Sequence, residues 1–138
     1  MQNLFIQDQD EFTVKFAVAM AKDGSIVCDL TKESVEDMLT QFVNFEGAKV
    51  ETYEAVFKKP SFGDTMSLYD SIFSVSDQAG VNFNPVTARF RKISALIKHW
   101  NLKGKEEKPT DDEIRQLHPV IANAIGIQVD AETGGLLS

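Results

Sequence analysis

Residues 54–70 read EAVFKKPSFGDTMSLYD: an apolar extended segment, a Lys58-Lys59-Pro60 stop, a Phe62-Gly63-Asp64 corner and the start of an amphipathic helix. Pro60 has no N–H to give to a ladder, so it ends the strand. Gly63 supplies backbone freedom, and Asp64 can cap the helix that follows. Upstream, from Val50 to Phe57, Tyr53, Ala55 and Phe57 share one strand face while Thr52, Glu54 and Val56 share the other. Downstream, a helix is expected from about Gly63 to Ser74. Its stripe of Met66, Tyr69, Ile72 and Phe73 should face the core, with Phe62 stapling its start.

The same alternation recurs before this stretch. Phe12, Val14, Phe16, Val18 and Met20 alternate with Glu11, Thr13, Lys15, Ala17 and Ala19, the period-two pattern of a half-buried strand. Asp23-Gly24 then favours a tight hairpin turn, because both central residues reach positive φ, and Ile26-Val27-Cys28 returns. Asp29 or Thr31 can cap a helix carrying Val35, Met38, Leu39, Phe42 and Val43, with Gly47 as its stop.

Beyond the corner, residues 75–83 read as a loop, and Asn84-Pro85 opens a third helix with proline at its first position. Val86, Phe90, Ile93, Ile97 and Trp100 should line its buried face, and Gly104 lies near its end. Thr110 and Glu113 form a capping box for a last helix with Ile114, Leu117, Ile121, Ala124 and Ile125 on its stripe. Pro119 should kink or restart it. The expected fold is α+β: a small antiparallel sheet, made of an N-terminal hairpin plus one strand, covered on one face by about four helices, with a helical C-terminal half. Residues 1–126 form one domain, and 127–138 read as a mobile tail.

The 138 residues are long enough to bury a core, and 43% hydrophobic with 25% charged residues is a globular composition. No apolar run has the length of a membrane span, and no secretory signal is expected at the N-terminus. The single cysteine, Cys28, rules out an internal disulfide and suits a reducing cytoplasm. A net charge of −7 argues against a general nucleic-acid binder. Even so, residues 89–108 hold seven Lys/Arg against two acidic residues. They form either the wet face of a helix or a docking surface for an acidic partner.

Catalytic constellations are sparse. His99 and His118 lack metal-ligand spacing, and His118 reads as a helix cap or a surface residue. Cys28 on an apolar strand reads as a small core residue. No glycine-rich phosphate loop is present, and Asp111-Asp112-Glu113 is accounted for by helix-start electrostatics. Trp100 either packs in the core or stacks on a partner. The expectation is a protein that is not an enzyme and holds no cofactor or metal.

From Tyr53 onward the order of elements resembles the tail assembly chaperones of tailed bacteriophages. In that family a short β segment leads to a basic-Lys-Pro-x-x-Gly-Asp corner, an amphipathic helix and Ile/Leu-rich helices, the last often opening on an acidic box. Here the corner is Phe57-Lys58-Lys59-Pro60-Ser61-Phe62-Gly63-Asp64, and the resemblance spans roughly residues 49–125. It implies a non-enzymatic viral protein of the host bacterial cytoplasm that binds a protein partner, such as the long helical tape measure protein. On this reading Lys58, Lys59, Phe62, Met66, Tyr69, Phe73, Arg89, Arg91, Lys92 and Trp100 are the candidate partner-binding residues. Two other readings stay open. One is a structural subunit of the particle, in the baseplate or a connector; the other is a small regulator binding polymerase or nucleic acid through the basic helix.

Overall fold

Alternating apolar residues build the centre of the sheet. The computed structural model describes residues 4–73 and 85–134, without the side chains of Val43, Ile72 and Phe73. Strand β1 (Glu11–Met20) buries Phe12, Val14, Phe16 and Val18 on one face and Ala17 and Ala19 on the other. The chain turns through Gly24, at φ 88°, into β2 (Ile26–Asp29). Only glycine adopts that backbone conformation without a steric cost.

Strand β3 (Val50–Lys58) runs antiparallel along the other side of β1, with Glu11 opposite Lys58 and Ala19 opposite Val50. A fourth strand, β4 (Ile97–Trp100), pairs with β3 and completes an antiparallel sheet of order β2-β1-β3-β4. Among the described residues there are five α-helices: α1 (Lys32–Leu39), α2 (Phe62–Phe73), α3 (Pro85–Leu96), α4 (Asp111–Arg115) and α5 (Pro119–Glu132). The fold is α+β, as expected.

Two cores flank the sheet. The even residues of β1 pack with Ala55, Phe57, Ile93, Leu96, Trp100, Ile114, Ile125 and Val129, so α3, α4 and α5 cover that face. The opposite face packs Ala17, Ala19 and Val27 against Val35 of α1 and Phe45 of a 3₁₀ turn (Val43–Phe45). Helices therefore lie on both faces, not on one. The alanines make this possible, because a strand with small residues outward lets a helix approach closely.

Several boundaries differ from the sequence reading. The third helix stops at Leu96, and Ile97–Trp100 becomes β4 instead of another helical turn. A register shift between Val56 and Phe57 lets Ile97 and Trp100 both face the core. Pairing with the edge of β3 outweighs local helix preference here, since it satisfies backbone groups that the edge would otherwise leave open. The first helix ends at Leu39, and the 3₁₀ turn carries Phe45 inward while Phe42 stays exposed. The expected tail starts too early at residue 127: α5 continues to Glu132, and Val129 is buried in the main core. The expected loop at 75–83 and the Asn84 cap lie outside the described residues.

Several helix starts follow the sequence closely. Thr31 caps α1 by accepting from the Ser34 N–H, and Thr110 and Glu113 form the full capping box of α4. Proline restarts the helix at α5, where His118 Nδ1 accepts from the Val120 N–H at 3.2 Å. Arg115 of α4 lies over the Phe90 ring, 4.6 Å from its centroid, which ties α4 to α3.

Candidate partner-binding surface

The corner after β3 is rigid because three groups hold it. Ser61, not Asp64, is the cap of α2: its Oγ accepts from the Asp64 N–H at 3.1 Å. Asp64 reaches back, accepting from the Ser61 N–H at 3.0 Å, so the two form a reciprocal box. Lys58 Nζ then sits 3.1 Å from Asp64 Oδ2. The Ser61 N–H bond, followed by Lys58, holds the Asp64 carboxyl below its ordinary value. Lys58 thus locks the corner, while the Lys59 side chain remains exposed and its N–H donates to the Asp10 carbonyl at 3.0 Å.

This corner sets the rotation of α2. Leu68 is the buried apolar residue among the described side chains of α2, and α2 packs against α3. Met66 and Tyr69, expected inside, are 53% and 48% exposed, and Phe62 is 82% exposed. Positions 62, 66 and 69 follow the i, i+4, i+7 spacing of one helix face. The staple expected from Phe62 is absent, since its ring points outward. The Phe73 side chain lies outside the described residues.

The basic segment behaves differently. Lys92, expected on a wet face, is 2% exposed and sits 2.8 Å from Asp130 of α5. Arg89 crosses α5 over Gly126, bonding Asn123 at 2.6 Å and lying 3.5 Å from Asp130. Lys98 pairs with Glu11 at 2.9 Å, and Lys103 pairs with Glu113. Glu113, correspondingly, is held below the ordinary carboxylate range by Lys103 and the Thr110 N–H. Four of the seven cations of residues 89–108 are thus paired with acids outside the segment, while Lys105 and Lys108 stay exposed. Arg91 stays exposed and makes no ion pair among the described residues. Trp100 is buried in the core, and its backbone exchanges two 2.9 Å bonds with Glu107, so it offers no surface to a partner.

Of the ten candidate residues, the structure brings Lys59, Phe62, Met66 and Tyr69 together at the corner and on α2. It removes Lys92 and Trp100 to the interior and gives Lys58 and Arg89 to internal pairs. A second apolar surface went unnoticed in the sequence: a shallow groove between the β2–α1 junction and α5, lined by Cys28, Leu30, Val120, Ala124 and Ile127. No period marks it, because its walls come from separate elements. Burial, helped by the Asp29 charge, pushes the Cys28 thiol up to about 11, so it stays protonated and unreactive at neutral pH. Among the described residues no cluster of His, Cys, Asp and Glu could hold a metal ion, and no helix is long and apolar enough to cross a membrane. No family model, curated protein or solved structure matches this chain.

Proposed function

We propose that the chain is a non-enzymatic adaptor of the tail-assembly-chaperone kind, binding a helical, apolar-striped protein such as a tape measure protein through α2. One observation carries this reading: α2 turns Phe62, Met66 and Tyr69 outward on one face and buries Leu68 instead. An aligned apolar row on a helix suits helix-to-helix docking, where anchors at i, i+4 and i+7 meet a matching stripe. Lys59 and Arg91 are exposed cations that favour acidic positions on such a partner, affecting approach and orientation more than affinity. The internal pairing of Arg89, Lys92, Lys98 and Lys103 supports a protein partner over a nucleic acid.

The test is capture from the native host, infected if the protein is viral, comparing the wild-type chain with Met66→Asp. Recovery of a long helical protein by the wild type, lost in the variant, with the bait absent from finished particles, is the expected result. Retention of the bait in the particle makes it a structural subunit. Equal recovery by both chains overturns α2 as the docking face.

A further inference from the structure

Strand β1 has ten residues, yet β2 pairs with only Ala17 to Met20 of it. On the other side β3 pairs with β1 from Glu11 to Ala19. The edge from Glu11 to Phe16 therefore has no strand beside it among the described residues. The outer edge of β4 differs, because Glu107 bonds to Trp100 there.

Hydrogen bonds elsewhere fix which groups point to the open side. Glu54, opposite Lys15, donates its N–H to Asn101 Oδ1 at 2.8 Å and accepts from the Asn101 N–H at 3.1 Å, both towards β4. Lys15 and Glu54 are thus a non-hydrogen-bonded pair, and Lys15 turns its N–H and carbonyl to the open edge. Two neighbours agree. The Asp10 carbonyl accepts from Lys59 on the β3 side at 3.0 Å, and Ala21 donates to the Ser25 carbonyl on the β2 side at 2.9 Å. By alternation, Glu11 and Thr13 also direct their backbone groups outward. Gln128 of α5 donates to the Lys15 carbonyl at 3.0 Å, covering one of these groups.

We propose that this edge is a homodimer interface, pairing antiparallel with the same edge of a second copy about a two-fold axis through Thr13. This goes beyond the adaptor reading and does not depend on it. The argument for a second copy is charge. Glu11, Thr13 and Lys15 are all exposed and share one face of the strand. An axis at Thr13 sets Glu11 of each copy opposite Lys15 of the other, so the edge is its own complement. Moving the axis to Glu11 or to Lys15 would set like charges opposite each other, which penalises those registers. Each of the three residues exchanges an N–H and a carbonyl with its opposite number, and Gln128 yields the Lys15 carbonyl. The present partners of these side chains, Lys98 for Glu11 and Glu54 for Lys15, form exposed pairs that are cheap to rearrange.

Light scattering on the full chain after size exclusion, over a concentration series, tests the proposal. The wild type should move from 15.4 kDa to twice that mass as concentration rises. Glu11→Lys and Lys15→Glu each set like charges opposite, weakening the dimer about tenfold or more. Mixed in equal amounts, the two variants should recover it, since each altered residue then meets an opposite charge. Thr13→Pro, which removes an outward N–H and no bond among the described residues, should also weaken it, with thermal melts confirming that every variant folds. A wild type that stays monomeric throughout, a dimer unchanged by Thr13→Pro, or a mixture that fails to recover it overturns the proposal.

Discussion

Helices α2 and α3 are both twelve residues long, yet each does what the other's sequence suggests. The apolar-rich α2 leaves Phe62, Met66 and Tyr69 outside, whereas α3, with Arg89, Arg91 and Lys92 within four positions, buries a lysine. Their surroundings explain this. Helix α3 packs into the main core beside α5, with α2 and α4 also against it, so its faces meet partners that include the carboxylate of Asp130. Helix α2 leaves the sheet at a locked corner, packs against α3 and buries Leu68. Apolar content says how much a helix can bury; the neighbouring elements decide which face is used.

The largest effect that would sharpen this contrast is expected from Asp130→Ala. It leaves the Lys92 ammonium buried without its close carboxylate, at a cost of about 3–5 kcal/mol in urea unfolding. A loss below about 1 kcal/mol would mean the buried charge is balanced elsewhere, and the contrast between the helices would weaken. Next comes Gly126→Ala. Its Cβ would collide with the aliphatic part of Arg89, forcing that side chain off Asn123 and Asp130, for about 1–2 kcal/mol. The same assay shows whether α3 and α5 depend on that crossing.

Smaller effects concern the corner. Ser61→Ala removes one half of the cap of α2 and should cost about 1 kcal/mol. Asp64 adds a pH dependence. Its carboxyl is held below 3.8 in the folded chain, so its contribution is complete above 3.8 and is lost as pH falls through the lower folded value. Asp64→Asn should flatten that acid limb in urea midpoints measured at successively lower pH; an unchanged limb would show that the corner does not couple to the carboxylate. Smallest of all is the change in stability on replacing Phe62 and Met66 with serine, within about 0.5 kcal/mol because both are exposed. If that double variant unfolds the chain, α2's outer face belongs to the core and the comparison with α3 fails.

Much of the scaffold was legible before any coordinates. The alternation in residues 11–18 and 50–57, the Asp23-Gly24 turn, the Thr110–Glu113 capping box and the restart at Pro119 all act through neighbours in sequence. Local rules suffice for such features. The Ser61-x-x-Asp64 box is equally readable, although residue type alone also allows Asp64 as the cap. What escaped was non-local. Ile97–Trp100 became a strand because β3 offered an open edge, and Lys92 went inside because Asp130, far along the chain, met it there. The candidate surface is half legible: the resemblance implies Phe62, Met66 and Tyr69 as partner-binding residues, while the helical period alone turns Met66 and Tyr69 inward and makes Phe62 a staple.

The sequence by itself determined the α+β class, the central antiparallel strands and where most helices begin, because each rests on backbone and side-chain preferences within a few residues. Only the tertiary structure decided that helices cover both faces of the sheet, that α2 shows its apolar row to solvent and that four of the seven cations of the basic segment enter internal pairs. Burial and charge pairing depend on which distant groups arrive at the same place, and a one-dimensional pattern does not carry that information.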